Sequence, residues 1–390
     1  MLVFTPCHTI PVLERAKQQV FDNATVSVLI QKMKREELGM GDQQDLLKVD
    51  DTDHMDKEAT RLYQPRSFRS INTAFDCVGT QNHLPQALRA EKRFCGFPNL
   101  ATPPTLNMSF QPTYATVENE DCNLHYWYQG TGPLLIFVPG GNGHGRQFNY
   151  IMPLLSSQFK VATFDRRQMS ASKVKGPNKQ FNPAQQARDI IAVMKALGHD
   201  KTSIFASSGS GIIAFQMAVS YPETLEHVVC HEAPTSTLLS AAESTELMDF
   251  FFGLQDIYRE KGVQPTMDTF VKKIMVGVDD GHKTQKPESW NPKNQFENEM
   301  ILGLYCPDLV KIVENGTSIA VGFGTKSEGA FYKRTVLEQG KRLECEVCEF
   351  PGHHHAFETQ AEDFAPILTG LLERLEEKKK AKLGSNRQDA

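Results

Sequence analysis

The sequence predicts an α/β fold on a mostly parallel, doubly wound sheet with a helical cap inserted, and three observations carry that expectation. Short, continuous apolar runs alternate with segments of helical spacing, as in Leu134 to Val138, Phe148 to Leu155 and Lys160 to Phe164. Strands buried on both faces read as unbroken apolar runs, and their alternation with helices implies βαβ units. These runs end abruptly in small or polar residues: Pro139-Gly140-Gly141-Asn142-Gly143, Asp165-Arg166-Arg167, Ser207-Ser208-Gly209 and His231-Glu232. Functional groups gather beyond the carboxyl ends of parallel strands. Thirdly, Thr235 to about Asn315 holds helical segments and no strand before the alternation resumes, which is how a lid inserted into a sheet reads.

In chain order, residues 1–112 form an N-terminal extension without clear organisation. Val12 to Leu38 has apolar positions suited to a helix, 39–58 is polar and acid-rich, and 65–112 is broken by prolines. A surface appendage or partly disordered extension is expected there, the alternative being an arm that packs on the main domain or on another copy. The core's first part, 113–234, opens with alternating Tyr114 to Val117 and Leu124 to Tyr128, separated by the turn-prone Asn119-Glu120-Asp121. Pro183 to Leu197 has helical spacing, with Gly198 as its stop. Ser203 to Ala206 and Leu225 to Cys230 are further buried strands. The lid, 235–315, contains amphipathic Leu238 to Tyr258, shorter Met267 to Val276, and Glu297 to Leu304. Its Met248, Phe250, Phe251, Phe252, Leu254 and Tyr258 suit either a pocket wall or a buried helix face, the latter preferred. The core's second part, 316–376, reads as strand Ser318 to Phe323, a helix from about Gly329 to Gln339, strand Leu343 to Phe350 and helix Ala361 to Leu375. A polar tail, 377–390, is expected to fray.

A formal net charge of -5 argues against nucleic acid or an anionic membrane as the main partner. No apolar run approaches the roughly 20 residues of a membrane span. Met1 to Val12 has neither a basic nor a long apolar stretch, and Gln388-Asp389-Ala390 matches no retention address, so a cytoplasmic protein is expected. Reduced thiols follow from that setting for the eight cysteines. Cys345 and Cys348 lie three apart in an alternating run, and such side chains point to opposite faces of a strand, so structural thiols are expected rather than a redox or zinc pair. A small-molecule substrate is the expected partner, and oligomerisation stays open.

The chemistry centres on Ile204-Phe205-Ala206-Ser207-Ser208-Gly209-Ser210-Gly211. An apolar strand stops at small residues and an apolar helix follows, placing Ser208 at the corner in a small-x-Ser-x-small pattern. A nucleophile at strained φ/ψ brings its flanking turns together, so the residues two away must be small; Ala206 and Ser210 stand where glycines are usual. Ser207 and Ser210 lack small neighbours at both offsets within the pattern. Three histidines, His353-His354-His355, follow the last strand. Adjacent side chains diverge and the helical zinc patterns are absent, so no metal site is expected. Gly141-Asn142-Gly143 begins a dinucleotide fingerprint, but Arg146 occupies its third glycine position, so no nucleotide cofactor is expected.

With these residues in this order, the chain from about Tyr114 to Leu375 resembles the α/β-hydrolase fold superfamily. Asp165-Arg166-Arg167, Ser207-Ser208-Gly209 and His231-Glu232-Ala233-Pro234 are similar to segments of its small-molecule hydrolases. Phe350-Pro351-Gly352-His353-His354-His355-Ala356-Phe357 is similar to its Phe-Pro-Gly-x-His-x-Gly-Phe. The resemblance implies Ser208 as nucleophile and His354 as the base that takes its proton and then protonates the leaving group. His353 and His355 are expected as loop or surface residues. For the acid, Glu232 is preferred to Glu328, which suits the opening of the next helix; the alternative role for Glu232 is a pair with Arg166 or Arg167. His231 is expected as a packed histidine. The implied oxyanion donors are the backbone N–H groups of Gly209 and Gly141, with Asn142 next in line, because Pro139 has none to give. The implied activity is a serine hydrolase, free of cofactor and metal, cleaving an ester, thioester or lactone of a small, partly apolar molecule. Cofactor-free lyases, acyltransferases and non-catalytic ligand binders share the scaffold and remain the alternatives.

Overall fold

The computed structural model describes residues 109–277 and 286–385, with side chains to residue 382. The segment 1–108, including the helix expected over Val12 to Leu38, lies outside the described residues.

β1 (Thr113–Asn119) and β2 (Cys122–Gln129) form an antiparallel hairpin, followed by β3 (Leu134–Val138), short α1 (Met152–Leu155), β4 (Lys160–Phe164) and two-residue β5 (Lys173–Val174). Next come α2 (Pro183–Ala196), β6 (Thr202–Ser207), α3 (Ser210–Ser220) and β7 (Leu225–His231). The helical insertion contains α4 (Ala241–Lys261), α5 (Val263–Ile274), a π-helical turn at Asn294–Glu299, a 3-10 turn at Met300–Leu304 and α6 (Leu309–Glu314). β8 (Ile319–Gly324), α7 (Phe331–Leu343), β9 (Glu346–Phe350), α8 (Ala356–Thr359) and α9 (Ala361–Ser385) complete the order.

The sheet runs β1-β2-β4-β3-β6-β7-β8-β9, with β5 on β2; β2 is antiparallel to its neighbours and every pairing from β4 to β9 is parallel. α2, α3 and α7 close one face through Ile190, Ile213, Phe215 and Val336, while α1 and α9 close the other through Met152, Phe364, Leu368 and Leu372. Burial of β3, β6 and β8 on both faces is what makes their sequences unbroken apolar runs. Cys345 packs with the first of these cores and Cys348 with the second, opposite sides of the sheet, and both are free thiols.

Local signals fix the helix ends. Asn182 caps α2 by accepting from the Gln185 N–H at 3.0 Å, Pro183 supplies the first turn, and Gly198 follows at φ 81°. Asp308 caps α6 in the same way at 3.1 Å. α6, too short for a periodic pattern, is absent from the sequence reading.

Two expectations need correction. The strand expected from Leu343 begins at Glu346, because Leu343 is buried on the core face of α7 and Glu344, at φ 50°, ends the helix in a left-handed cap. The charged tail expected to fray from Glu376 instead continues α9 to Ser385; residues 386–390 lie outside the described residues. Several of its charges are paired, Glu376 with His227 at 3.1 Å and Lys380 at 3.2 Å, Lys378 with Glu346 at 2.5 Å, and Lys379 with Glu226. A polar sequence stays helical where its charges meet partners on the sheet and one turn away.

Candidate active site

The corner between β6 and α3 carries Ser208 at φ 56°, a left-handed conformation costly for any residue with a Cβ. The backbone is held there because the Ser208 N–H donates to the His231 carbonyl at 2.7 Å and the Ser208 carbonyl accepts from Gly211 at 2.9 Å. Smallness around the corner has a steric cause. A Cβ on Gly140 would meet the Ser207 carbonyl at 2.8 Å and the Ser208 Cβ at 3.0 Å, and one on Gly211 would meet the Ala233 Cβ at 2.4 Å. Ser210, in a usual glycine position, is buried with its hydroxyl donating to the Val138 and Ser207 carbonyls at 2.7 and 2.8 Å.

One strand over, Glu232 follows β7, also left-handed at φ 55°, and is fully buried. One carboxylate oxygen accepts from the Gly324 N–H at 2.7 Å and the other meets His354 Nδ1 at 2.5 Å. Burial by itself would raise the Glu232 carboxyl, but the His231 and His354 rings, the latter through its hydrogen bond, more than offset that and hold it at about 2. Burial pushes His231 itself down to about 4, so at neutral pH that ring is uncharged and His354 is the carboxylate's working partner. The alternative pairing of Glu232 with the arginines does not occur: Arg166 binds Glu299, and Arg167 binds Asp189 and Asp121. Glu328, the other candidate acid, has a side chain 83% exposed and pairs with Lys333 at the surface.

His354 is buried, with the Tyr332 ring 4.5 Å away on one side and the His355 ring at 5.4 Å. The Tyr332 hydroxyl donates to the Ile274 carbonyl at the end of α5 at 2.8 Å, so the helical insertion braces the ring that braces His354. His353 was expected in a loop or at the surface; it is in the loop but fully buried, its Nδ1 accepting from the His355 N–H at 3.1 Å and its Nε2 3.2 Å from the Thr359 hydroxyl. It stiffens the turn that carries His354. His355 is half-buried beside Glu358, 3.8 Å away.

His231 packs as expected, with ring centroids of Phe350 and Phe364 both at 5.4 Å, and neither of its nitrogens has a hydrogen-bond partner among the described residues. Because its folded pKa of about 4 lies below the ordinary 6.5, the unfolded chain binds more protons between those values. Stability is therefore complete above pH 6.5 and is lost as pH falls towards 4, by about 1.4 kcal/mol per unit for this group. His231→Phe, which suits an aromatic cage, is expected to flatten the acid limb of a melting-temperature profile between pH 6.5 and 4. An unchanged slope would refute that account.

Gly141, Ser208 and Gly209 line one side of a cleft of about 420 Å3, open volume included. Across it stand Phe251 from α4, Phe270 and Ile274 from α5, Met300 and Leu302 from the 3-10 turn, and Phe331 and Tyr332 from α7. Of the six insertion residues singled out in the sequence, Phe251 alone is in this lining; Leu254 is core, Phe252 is exposed, and Met248, Phe250 and Tyr258 are half-buried. The Gly209 N–H opens α3, and its peptide carbonyl partner, that of Ser208, is held on the far side by Gly211. Neither Gly209 nor Gly141 donates its N–H to a protein acceptor among the described residues. The Ser208 hydroxyl likewise makes no hydrogen bond among the described residues. Glu299 and Tyr332 are functional candidates that the sequence did not single out, and Arg166 was considered there only as a partner for Glu232. The signal available for Glu299 was a carboxylate directly abutting the mostly apolar run Met300 to Leu304.

A family model described as alpha/beta hydrolase fold matches residues 133–303. The uncharacterized hydrolase YraK of Bacillus subtilis is 25% identical over 267 residues, 66% of this chain and 96% of that protein. A zearalenone hydrolase of Bionectria ochroleuca is 29% identical over 32% of this chain, which spans 48% of that protein. Among solved structures, a thermophilic esterase from Thermogutta terrifontis aligns over 68% of this chain and 99% of its own, at a TM-score of 0.56 and 16% identity. A bromoperoxidase from Bacillus anthracis aligns over 67% of this chain and all (100%) of its own at 0.54 and 17%. Identities this low among solved structures speak to the fold alone.

Proposed function

Starting from a chain that belongs to the α/β-hydrolase fold superfamily and is an enzyme of hydrolase type, we propose that it is a serine hydrolase cleaving a carboxylic ester, thioester or lactone of a small, partly apolar molecule. The observation that carries this reading is the buried His354–Glu232 pair at the strand ends beside the Ser208 corner, with that corner open to an apolar cleft. Ser208 Oγ adds to the substrate carbonyl carbon while its proton passes to His354 Nε2. Glu232 accepts the Nδ1–H, which sets the tautomer and stabilises the imidazolium. The carbonyl oxygen becomes an oxyanion and receives the Gly141 and Gly209 N–H groups, the second reinforced by the N-terminus of α3. Collapse breaks the bond to the alcohol or thiol, which leaves with the proton from His354. Water then adds to the acyl-enzyme with His354 as base, releasing the acid.

The cleft supports the choice of substrate class. Its facing side chains are apolar apart from the hydroxyl of Tyr332, which is already committed to the Ile274 carbonyl. A charged acyl group would find no partner there and would pay its full desolvation. Segment 235–315 acts as a lid in this reading, because Phe251, Phe270, Met300 and Leu302 come from it. A cytoplasmic setting suits the free thiols at Cys122, Cys230, Cys306, Cys345 and Cys348.

Incubation with a fluorophosphonate tests the nucleophile. One adduct per chain is expected, mapped by peptide mass spectrometry to the segment containing Ser208, with loss of p-nitrophenyl butyrate turnover in step. An adduct on another serine, or full turnover after labelling, would overturn the assignment.

A further inference from the structure

Resting on the serine-hydrolase reading, we infer that Arg166 and Glu299 form a positioning pair that aims the Gly141 N–H at the oxyanion. The Gly140 carbonyl and the Gly141 N–H belong to one planar trans amide and point in opposite directions, so whatever fixes the oxygen fixes the donor. Sterics leave its Gly141 side free. The amide lies between two glycines, whose φ/ψ freedom lets a peptide plane turn cheaply, and a Cβ on Gly141 would meet nothing within 4 Å.

Hydrogen bonds fix the oxygen. The Gly140 oxygen accepts from Arg166 Nη2 at 2.8 Å, from Arg166 Nε at 3.2 Å and from the Gly143 N–H at 2.9 Å, while Arg166 Nε also donates to the Pro139 carbonyl at 2.9 Å. The guanidinium thus holds two successive carbonyls on its own side, and the Gly141 N–H faces the cleft that Ser208 opens on.

Glu299 holds the guanidinium. Its carboxylate accepts from Arg166 Nη2 at 2.6 Å and Nη1 at 3.2 Å, with the Asn294 side-chain amide donating to it at 3.0 Å; Gln186 takes a further bond from Nη1 at 2.7 Å. Arg166 and Glu299 are each about 1% exposed. A buried ion pair is a poor stabilising device, since desolvation of both charges can exceed their attraction and apolar residues of equal volume often do as well. Its special property is a rigid fork of fixed direction. Glu299 belongs to the helical insertion and Arg166 to the loop after β4, so the insertion sets the oxyanion donor of the core.

The test compares Arg166→Lys, Glu299→Gln and Glu299→Asp with wild type in the full chain, with active sites counted by fluorophosphonate titration. Lysine keeps the charge but has no fork to hold two carbonyls. Expected for Arg166→Lys and Glu299→Gln is a fall of about 100-fold in kcat per titrated site, with KM within threefold, since an oxyanion donor acts in the transition state. Binding of a trifluoromethyl ketone, whose adduct carries the oxyanion, weakens in the same proportion as kcat/KM, and Glu299→Asp recovers part of both. Loss of folded protein lowers the titrated count and leaves these per-site values unmoved. Per-site kcat and ketone affinity within threefold of wild type in either folded variant would overturn the inference while leaving Ser208 in place. If wild-type Ser208 does not label, the serine-hydrolase reading falls and this inference with it.

Discussion

Ser208→Ala is expected to reduce kcat for p-nitrophenyl butyrate by about 10^5-fold or more, with a thermal melt close to that of wild type. The size follows from what a nucleophile does: without it the acyl-enzyme route closes, and only binding and the oxyanion donors remain to assist direct attack by water. The melt should hold because no protein hydrogen bond of the Ser208 side chain is lost, and its backbone bonds to His231 and Gly211 are unaffected. Relief of a left-handed residue is not expected, since alanine carries the same Cβ. A variant retaining a tenth of wild-type turnover would move the nucleophile elsewhere.

The second large effect is expected at Glu232. Glutamine there can still accept from the Gly324 N–H, but its amide presents a donor to His354 Nδ1 in place of an acceptor. The ring is then driven to carry its proton on Nε2, the nitrogen that must take the Ser208 proton, and the base is lost while the geometry survives. A loss of about 10^4-fold in kcat is expected for Glu232→Gln and less than a twofold change for Glu328→Gln, whose side chain sits in solvent against Lys333. Because Glu232 is held at about 2, this carboxylate is ionised throughout any practical assay range, and no inflection in the wild-type rate above pH 4 should be traceable to it. Comparable losses in both variants, or the reverse order, would reject the assignment.

Much of the scaffold was legible because the signals that specify it are local. Leu134 to Val138 and Lys160 to Phe164 coincide with β3 and β4, since an apolar run bounded by turn residues is the signature of a strand covered on both faces. The strand-to-helix corner at Ser208 was legible because an apolar strand stops at small residues and an apolar helix follows, although what crowds the corner is distant: a Cβ on Gly209 would meet Leu302 of the insertion at 2.8 Å. Errors came where distant partners outweigh local preference. The charged stretch after Glu376 reads as a fraying tail, yet Glu226, His227 and Glu346 from the sheet hold it in α9. His353 reads as a loop residue, and it is one, but burial under Thr359 cannot be seen in three consecutive histidines.

The sequence by itself therefore determined the order of the main strands and the longer helices, the corner that presents Ser208 and the small set of strand-end residues from which a site can be drawn. Tertiary structure decided how that set is wired. Glu232 lies 122 positions from His354 and could have met either arginine; Arg166 is taken instead by Glu299, 133 positions away. Periodicity and turn chemistry act over a few residues and are written in the chain. The partner of a buried charge is chosen by which desolvated group the packed sheet and insertion bring within about 3 Å, and that selection exists only once the chain has folded.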